Sequence, residues 1–85
     1  MTKHKILGIL IKDRIKEAGK TQSVLSGYGN IISMRLGTHE LSDSKNSRVG
    51  MIVLTLTGDE NLWPQLEKDL SEIGGIEVKN IEFNY

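Results

Sequence analysis

Two stretches of this chain, residues 6–11 and 48–57, are apolar at odd and even positions alike. In the first, Ile6, Leu7, Ile9, Leu10 and Ile11 are interrupted only by Gly8. In the second, Val49, Met51 and Val53 interleave with Ile52, Leu54 and Leu56. A strand apolar on both faces belongs in the middle of a sheet, because an edge or half-covered strand alternates. With 85 residues there is room for one hydrophobic core, so residues 1–85 are expected to form one domain with both strands central. A domain this small buries only about 60% of the surface its unfolded chain exposes. The sequence contains no Cys, so disulfides and thiolate metal sites cannot make up the shortfall.

The other segments supply helices and edges. Asp13 suits a helix N-cap, and Glu17 suits the positive end of the helix dipole. Ala18, Thr21, Leu25 and Tyr28 recur at helical spacing, with Ile15 and Val24 beside them. Gly27 and Gly29 offer left-handed residues to stop that helix. Residues 31–41 alternate, with Ile32, Met34 and Leu36 opposite Ser33, Arg35, Gly37 and His39, as an edge strand does. Residues 42–47 form a polar turn cluster. A second helix opens near Asp59 or Asn61 and tolerates Pro64 in its first turn. Its inner stripe is Leu62, Leu66, Leu70 and Ile73; Glu67, Lys68 and Glu72 are expected outside, and Gly74-Gly75 ends it. The last segment carries Ile76 and Val78, then Ile81 and Phe83, and the change of parity at Lys79-Asn80 predicts a β-bulge.

The order strand, helix, strand, strand, helix, strand is the split βαβ arrangement. Right-handed crossovers place its first and third strands in the centre. Those are the two strands that lost their alternation. The expected fold is therefore α+β: a ferredoxin-like βαββαβ two-layer sandwich with antiparallel sheet order 4-1-3-2.

Three groups of residues carry a family resemblance. The run Asp13-Arg14-Ile15-Lys16 continues as a helix through Leu25. Arg35-Leu36-Gly37 sits on the second strand, and Ile73-Gly74-Gly75-Ile76-Glu77-Val78 joins the last helix to the last strand. Together they resemble the iron-only hydrogenase system regulators. These are small stand-alone ACT-like domains, similar also to the C-terminal domain of nickel-responsive repressors. The resemblance implies an ACT-like fold, homo-oligomers and a regulatory role. In ACT-like domains small ligands sit between the first strand–helix loop and a neighbouring strand. The matching positions are Asp13, Arg14, Arg35, Gly37 and His39. Two readings of them stand side by side. Arg35 offers a bidentate fork to an anion near a helix N-terminus. Alternatively, Asp13 simply caps the helix while Arg14 and Arg35 are solvated or paired across a dimer. The loop lacks the glycine common in amino-acid-binding ACT domains, which argues against an amino-acid ligand.

Composition and motif content narrow the function. Eleven basic and eleven acidic side chains cancel, and the central strands carry no aromatic for stacking, so nucleic acid is not an expected direct partner. Any role in transcription would run through a partner protein. Two histidines in separate segments, His4 and His39, make no metal motif, and no cofactor is expected. No nucleophile–base pair or phosphate-binding glycine loop is recognisable, so the chain is not expected to be an enzyme. Residues 3–11 start like a signal peptide, but the apolar run stops at Lys12-Asp13-Arg14 without a small-residue cleavage site. It is also far shorter than the ~20 residues that span a bilayer. A cytoplasmic protein without a membrane partner is expected. Both helices must cover one face of the sheet, leaving apolar side chains of the central strands on the other. Such a patch marks an interface, and a homodimer or higher homo-oligomer through the sheets is expected. The favoured function is a self-associating regulatory domain that senses a small ligand or modulates a partner protein. The alternative is an interaction module with no ligand.

Overall fold

The computed structural model describes residues 3–39 and 49–84. Its elements are β1 (Lys3–Ile11), α1 (Arg14–Gly27), a 3-10 turn (Gly29–Ile31), β2 (Ile32–His39), β3 (Gly50–Leu56), a 3-10 turn (Glu60–Leu62), α2 (Trp63–Ser71) and β4 (Ile76–Asn84). The polar cluster at 42–47 lies outside the described residues. The strands form one antiparallel sheet in the order β2-β3-β1-β4, the expected order read from the opposite edge.

β1 and β3 lie side by side at the centre, and their register decides which apolar set faces the helices. Leu7 pairs with Leu54 and Ile9 with Ile52, and all four are buried. Leu25 of α1, Leu66 and Leu70 of α2, Trp63 and Ile31 close over them. Each such aliphatic side chain contributes about 1.5–3 kcal/mol on leaving water. The opposite parity of the same strands, with Ile6, Leu10 and Met51, faces away from both helices.

Local chemistry starts and stops the helices. Asp13 Oδ1 accepts the backbone N–H groups of Ile15 and Lys16, each at 3.2 Å, which makes it the N-cap of α1. The expected glycine stop is corrected. Neither Gly27 nor Gly29 has a positive φ, and α1 ends on Tyr28 at φ −118°. The 3-10 turn that follows lowers Ile31 into the core. Gly75 does take the left-handed conformation, at φ +77°, between α2 and β4. Neither Asp59 nor Asn61 caps α2, whose N-cap is Leu62 without a side-chain bond. Asp59 starts the preceding 3-10 turn instead, its Oδ1 accepting the Asn61 N–H at 2.9 Å, and the Trp63 indole donates to the Thr57 carbonyl at 2.9 Å. Tyr28 donates its hydroxyl to the Asp69 carboxylate, tying α1 to α2. That hydrogen bond, helped by desolvation and the carboxylate's charge, raises the phenol above its ordinary value.

Four further expectations are corrected. First, Ile15 lies on the outer side of α1 and is 68% exposed, because Glu17, Thr21 and Leu25, spaced four apart, set the buried line. Second, β2 does not alternate throughout: its register on β3 shifts between Ile32, opposite Leu56, and Met34, opposite Thr55. Ile32 therefore lies on the helix side while Met34 and Leu36 face the open side. The Ser33 hydroxyl, 2.7 Å from that of Thr55, bridges the irregular rung. Third, β4 has no bulge: it pairs with β1 without a break from Lys3↔Asn84 to Ile11↔Ile76. Fourth, Glu67 turns toward the sheet, where it forms an ion pair with Lys5 and accepts from Asn80 Nδ2 at 3.2 Å. This polar group explains why β4 carries polar residues on its helix side beyond Val78.

Glu17 is the least expected member of the interior. It is 5% exposed, and its Oε2 has no hydrogen-bond partner among the described residues. It packs under Gly75, where an added Cβ would lie 3.6 Å from Glu17 Cγ. A buried carboxylate oxygen without a partner costs about 1–3 kcal/mol. Its helix-dipole contribution of about 0.3–1 kcal/mol offsets only part of that. Glu17→Met, similar in length and apolar, is expected to stabilise the fold by about 1 kcal/mol. Urea titration checks this: the midpoint should rise with an unchanged m-value.

Candidate functional site

Two surfaces bring together residues of functional interest. The larger is the open face of the sheet. β1 contributes Ile6, Gly8 and Leu10, and β3 contributes Met51, Val53 and Thr55. β2 adds Met34 and Leu36, and β4 adds Glu77, Lys79, Ile81 and Phe83. The apolar members are neighbours across the strands, with Ile6↔Ile81, Leu10↔Met51 and Leu36↔Val53 as direct pairs. Met34, Leu36, Met51, Ile81 and Phe83 are all exposed. Glu77 and Lys79 form an ion pair at 3.5 Å. At the middle of this face Gly8 leaves an apolar depression of 230 Å³, bordered by Leu10, Met51, Glu77 and Lys79.

The smaller surface is a groove of 210 Å³ on the helix side. Arg14, Ala18 and Gln22 from α1 form one wall; Gly37 of β2 and Gly50 of β3 form the other, over Ile11 and Ile52. An added Cβ at Gly37 would touch nothing within 4 Å, so this glycine keeps the groove open. Of the residues singled out in the sequence, the structure places Arg14 and Gly37 in this groove. Arg35 stands on the same strand one pleat away and is exposed. His39 is the last residue of β2, with its backbone opposite Gly50; its side chain lies outside the described residues. Asp13 is engaged as the cap of α1, so its carboxylate occupies two of the N–H donors that an anion would need. Ala18, Gln22 and Gly50 were not among those candidates, because the topology carries α1 across β3 without saying which of its residues meet which strand positions.

A third hollow, of 330 Å³ between the ends of β1 and β4 and the start of α2, is bordered by Lys3, Glu60 and Glu82. Its charges are engaged internally: Lys3 Nζ lies 3.8 Å from Glu60 and 3.9 Å from Glu82, and Lys5, which also borders it, pairs with Glu67. Among the described residues no group of three or more metal-ligating side chains comes together, and no helix is long and apolar enough to cross a membrane.

The architecture recurs among solved structures. An uncharacterized protein from Thermotoga maritima superimposes with a TM-score of 0.79 at 25% identity, covering 98% of this chain and 100% of that one. The chain has a ferredoxin-like βαββαβ fold. CPII, a nitrogen regulatory PII-like protein from Thiomonas intermedia K12, was solved with ADP, AMP and bicarbonate. It matches with a TM-score of 0.60 at 17% identity, over 99% of this chain and 93% of that one. The de novo designed protein Foldit4 matches with a TM-score of 0.56 at 17% identity, over 98% of this chain and 97% of that one. No family model and no curated protein matches the sequence.

Proposed function

We propose that this chain is a regulatory domain that self-associates through the open face of its sheet and binds a small ligand in the α1–β2 groove, acting by binding rather than by turnover. The observation that carries the reading is the open face. Eight apolar side chains (Ile6, Leu10, Met34, Leu36, Met51, Val53, Ile81 and Phe83) lie there with no helix over them. Exposed patches of this kind mark interaction surfaces. The finer assignment, to regulation of an iron-only hydrogenase system, is supported by the sequence resemblance at Asp13-Arg14, Arg35-Leu36-Gly37 and Ile73-Gly74-Gly75-Ile76.

The ligand class is suggested by Arg14 beside the Gly37 opening and by the shared fold of CPII, which binds adenine nucleotides and bicarbonate. A ligand that binds the native state alone, at a hundred times its dissociation constant, stabilises by about 2.7 kcal/mol. For a domain of this size each kcal/mol corresponds to roughly 4–8 °C in Tm. ADP, AMP or bicarbonate is therefore expected to raise the Tm by at least ten degrees at saturation. Arg14→Ala is expected to abolish the rise without unfolding the apo protein. Scanning calorimetry with each ligand checks this, and an unchanged Tm with all of them would remove the ligand from the proposal. A second reading, an interaction module with no ligand, is favoured by one observation: Asp13 already occupies the N–H groups at the start of α1.

A further inference from the structure

Gly8 is unexplained by anything within one subunit. It sits in the interior of a central strand, where glycine weakens pairing and leaves nothing to pack. It has no positive φ, and an added Cβ would meet only the Lys79 carbonyl, at an ordinary 4.0 Å. The fold would accept alanine there. A strand glycine without a conformational reason commonly marks the close approach of another group. Here its effect is the 230 Å³ depression, whose lining is almost wholly apolar. A cavity of about 150 Å³ already holds a benzene ring.

We infer that the Gly8 depression is a socket for the Phe83 ring of a second copy of this chain. This rests on the proposed self-association and specifies its register. Phe83 lies on the same face, 52% exposed and paired with His4. Gly8 is paired with Lys79, so socket and ring are four residue steps apart along neighbouring strands, roughly 13 Å. Midway between them lies the Ile6↔Ile81 pair. A twofold axis between two stacked sheets and over that pair carries each Phe83 onto the other copy's Gly8. One operation makes both contacts, as a self-complementary interface requires.

Area and charge agree with a second copy as the occupant. Four strands about 4.8 Å apart and seven to nine residues long present on the order of 500 Å² in plan. Two such faces reach the ~1,000 Å² at which a biological interface becomes credible. The charges beside the socket, Glu77 and Lys79, are of opposite sign, and the formal net charge of the chain is zero. Two copies therefore meet without charge repulsion. A drug-like ligand needs enclosure on most sides, and this depression is walled on the sheet side only.

Sedimentation equilibrium on the full chain, wild type against Gly8→Leu, Phe83→Ala and the double variant, tests the inference. The wild type is expected to dimerise. Each single substitution should raise the dissociation constant thirtyfold or more while circular dichroism stays native. The double variant should be no weaker than the worse single one, because both remove the same contact. If Gly8→Leu fails to fold, Gly8→Ala replaces it, with a native Tm and a fivefold weaker dimer expected. Wild-type affinity in the Gly8 variants, or multiplying effects in the double variant, would overturn the socket while leaving self-association standing. A wild type that is monomeric at millimolar concentration would overturn both. So would a monomer whose binding of an anilinonaphthalene dye is lost in Gly8→Leu, since the occupant would then be a small apolar molecule.

Discussion

Ile81→Lys is expected to turn the assembled protein into a folded monomer. In the single subunit Ile81 is 54% exposed on an edge strand, so an ammonium at its tip reaches water and costs the fold little. In the assembly the same group would be enclosed against a second apolar sheet. Glu77 is the carboxylate of β4 on this face, and it is already paired with Lys79. Burying an uncompensated charge costs several kcal/mol, and twofold symmetry inserts two. The pair also adds like-charge repulsion. A loss of at least 4 kcal/mol corresponds to a dimer about a thousandfold weaker. Light scattering over a range of concentrations should report the monomer mass for Ile81→Lys and a larger mass for the wild type. Ile15→Lys, on the outer face of α1, is the control: Ile15 is 68% exposed on the helix layer and not on the open face of the sheet, so assembly should be unaffected. If Ile81→Lys assembles like the wild type, the open face is not the interface.

The same residue shows where sequence reasoning stopped. Element order and the two doubly apolar strands made the sheet order legible, because only a central strand needs apolar side chains on both faces. The parity change at Lys79-Asn80 was legible too, but its meaning was not. It suggested a bulge if every apolar residue of β4 must face the helices. The register is regular instead, and Ile81 and Phe83 face the open side. A regular strand that moves its apolar residues to the uncovered face is itself a sign that something covers that face. In β2 the reverse happened: unbroken alternation in sequence hid a register shift between Ile32 and Met34. A bulge changes which way later residues point without altering the pattern, so no count of alternation finds it.

The groove was half legible for a different reason. Arg14 and Gly37 could be named because the family resemblance supplies positions, and the structure does bring them to one groove. Gln22 and Gly50 complete that groove through packing between elements far apart in sequence. Glu67 misled in the same way: the sequence puts it on the outer face of α2, yet the Lys5 side chain supplies the partner that takes it inward. Glu17 reads in the sequence only against the helix dipole, and the glycine turn at Gly75 gives it room in the interior.

Leu66→Ala should bring the protein close to its unfolding limit. Leu66 is fully buried, and α2 is a helix of nine residues held to the sheet by Trp63, Leu66 and Leu70, with Ile73 beyond its end. Removing a buried Leu side chain to Cβ costs about 2.7–5 kcal/mol, rising with the cavity that remains. A short helix can relax partly into that space, so about 3 kcal/mol is the expected cost. At roughly 0.05–0.15 kcal/mol per residue the whole fold is worth only about 4–13 kcal/mol. The substitution thus removes between a quarter and most of the stability. At about 4–8 °C per kcal/mol, the expected fall in Tm is at least 12 °C. Because assembly adds to the stability of the native state, wild type and variant must be compared at one concentration. Leu36→Ala, on the open face and 60% exposed, separates the two contributions. Its Tm should match the wild type's in dilute solution and fall below it only where the wild type assembles. A Leu66→Ala protein that melts within three degrees of the wild type would mean that α2 is not held by this core.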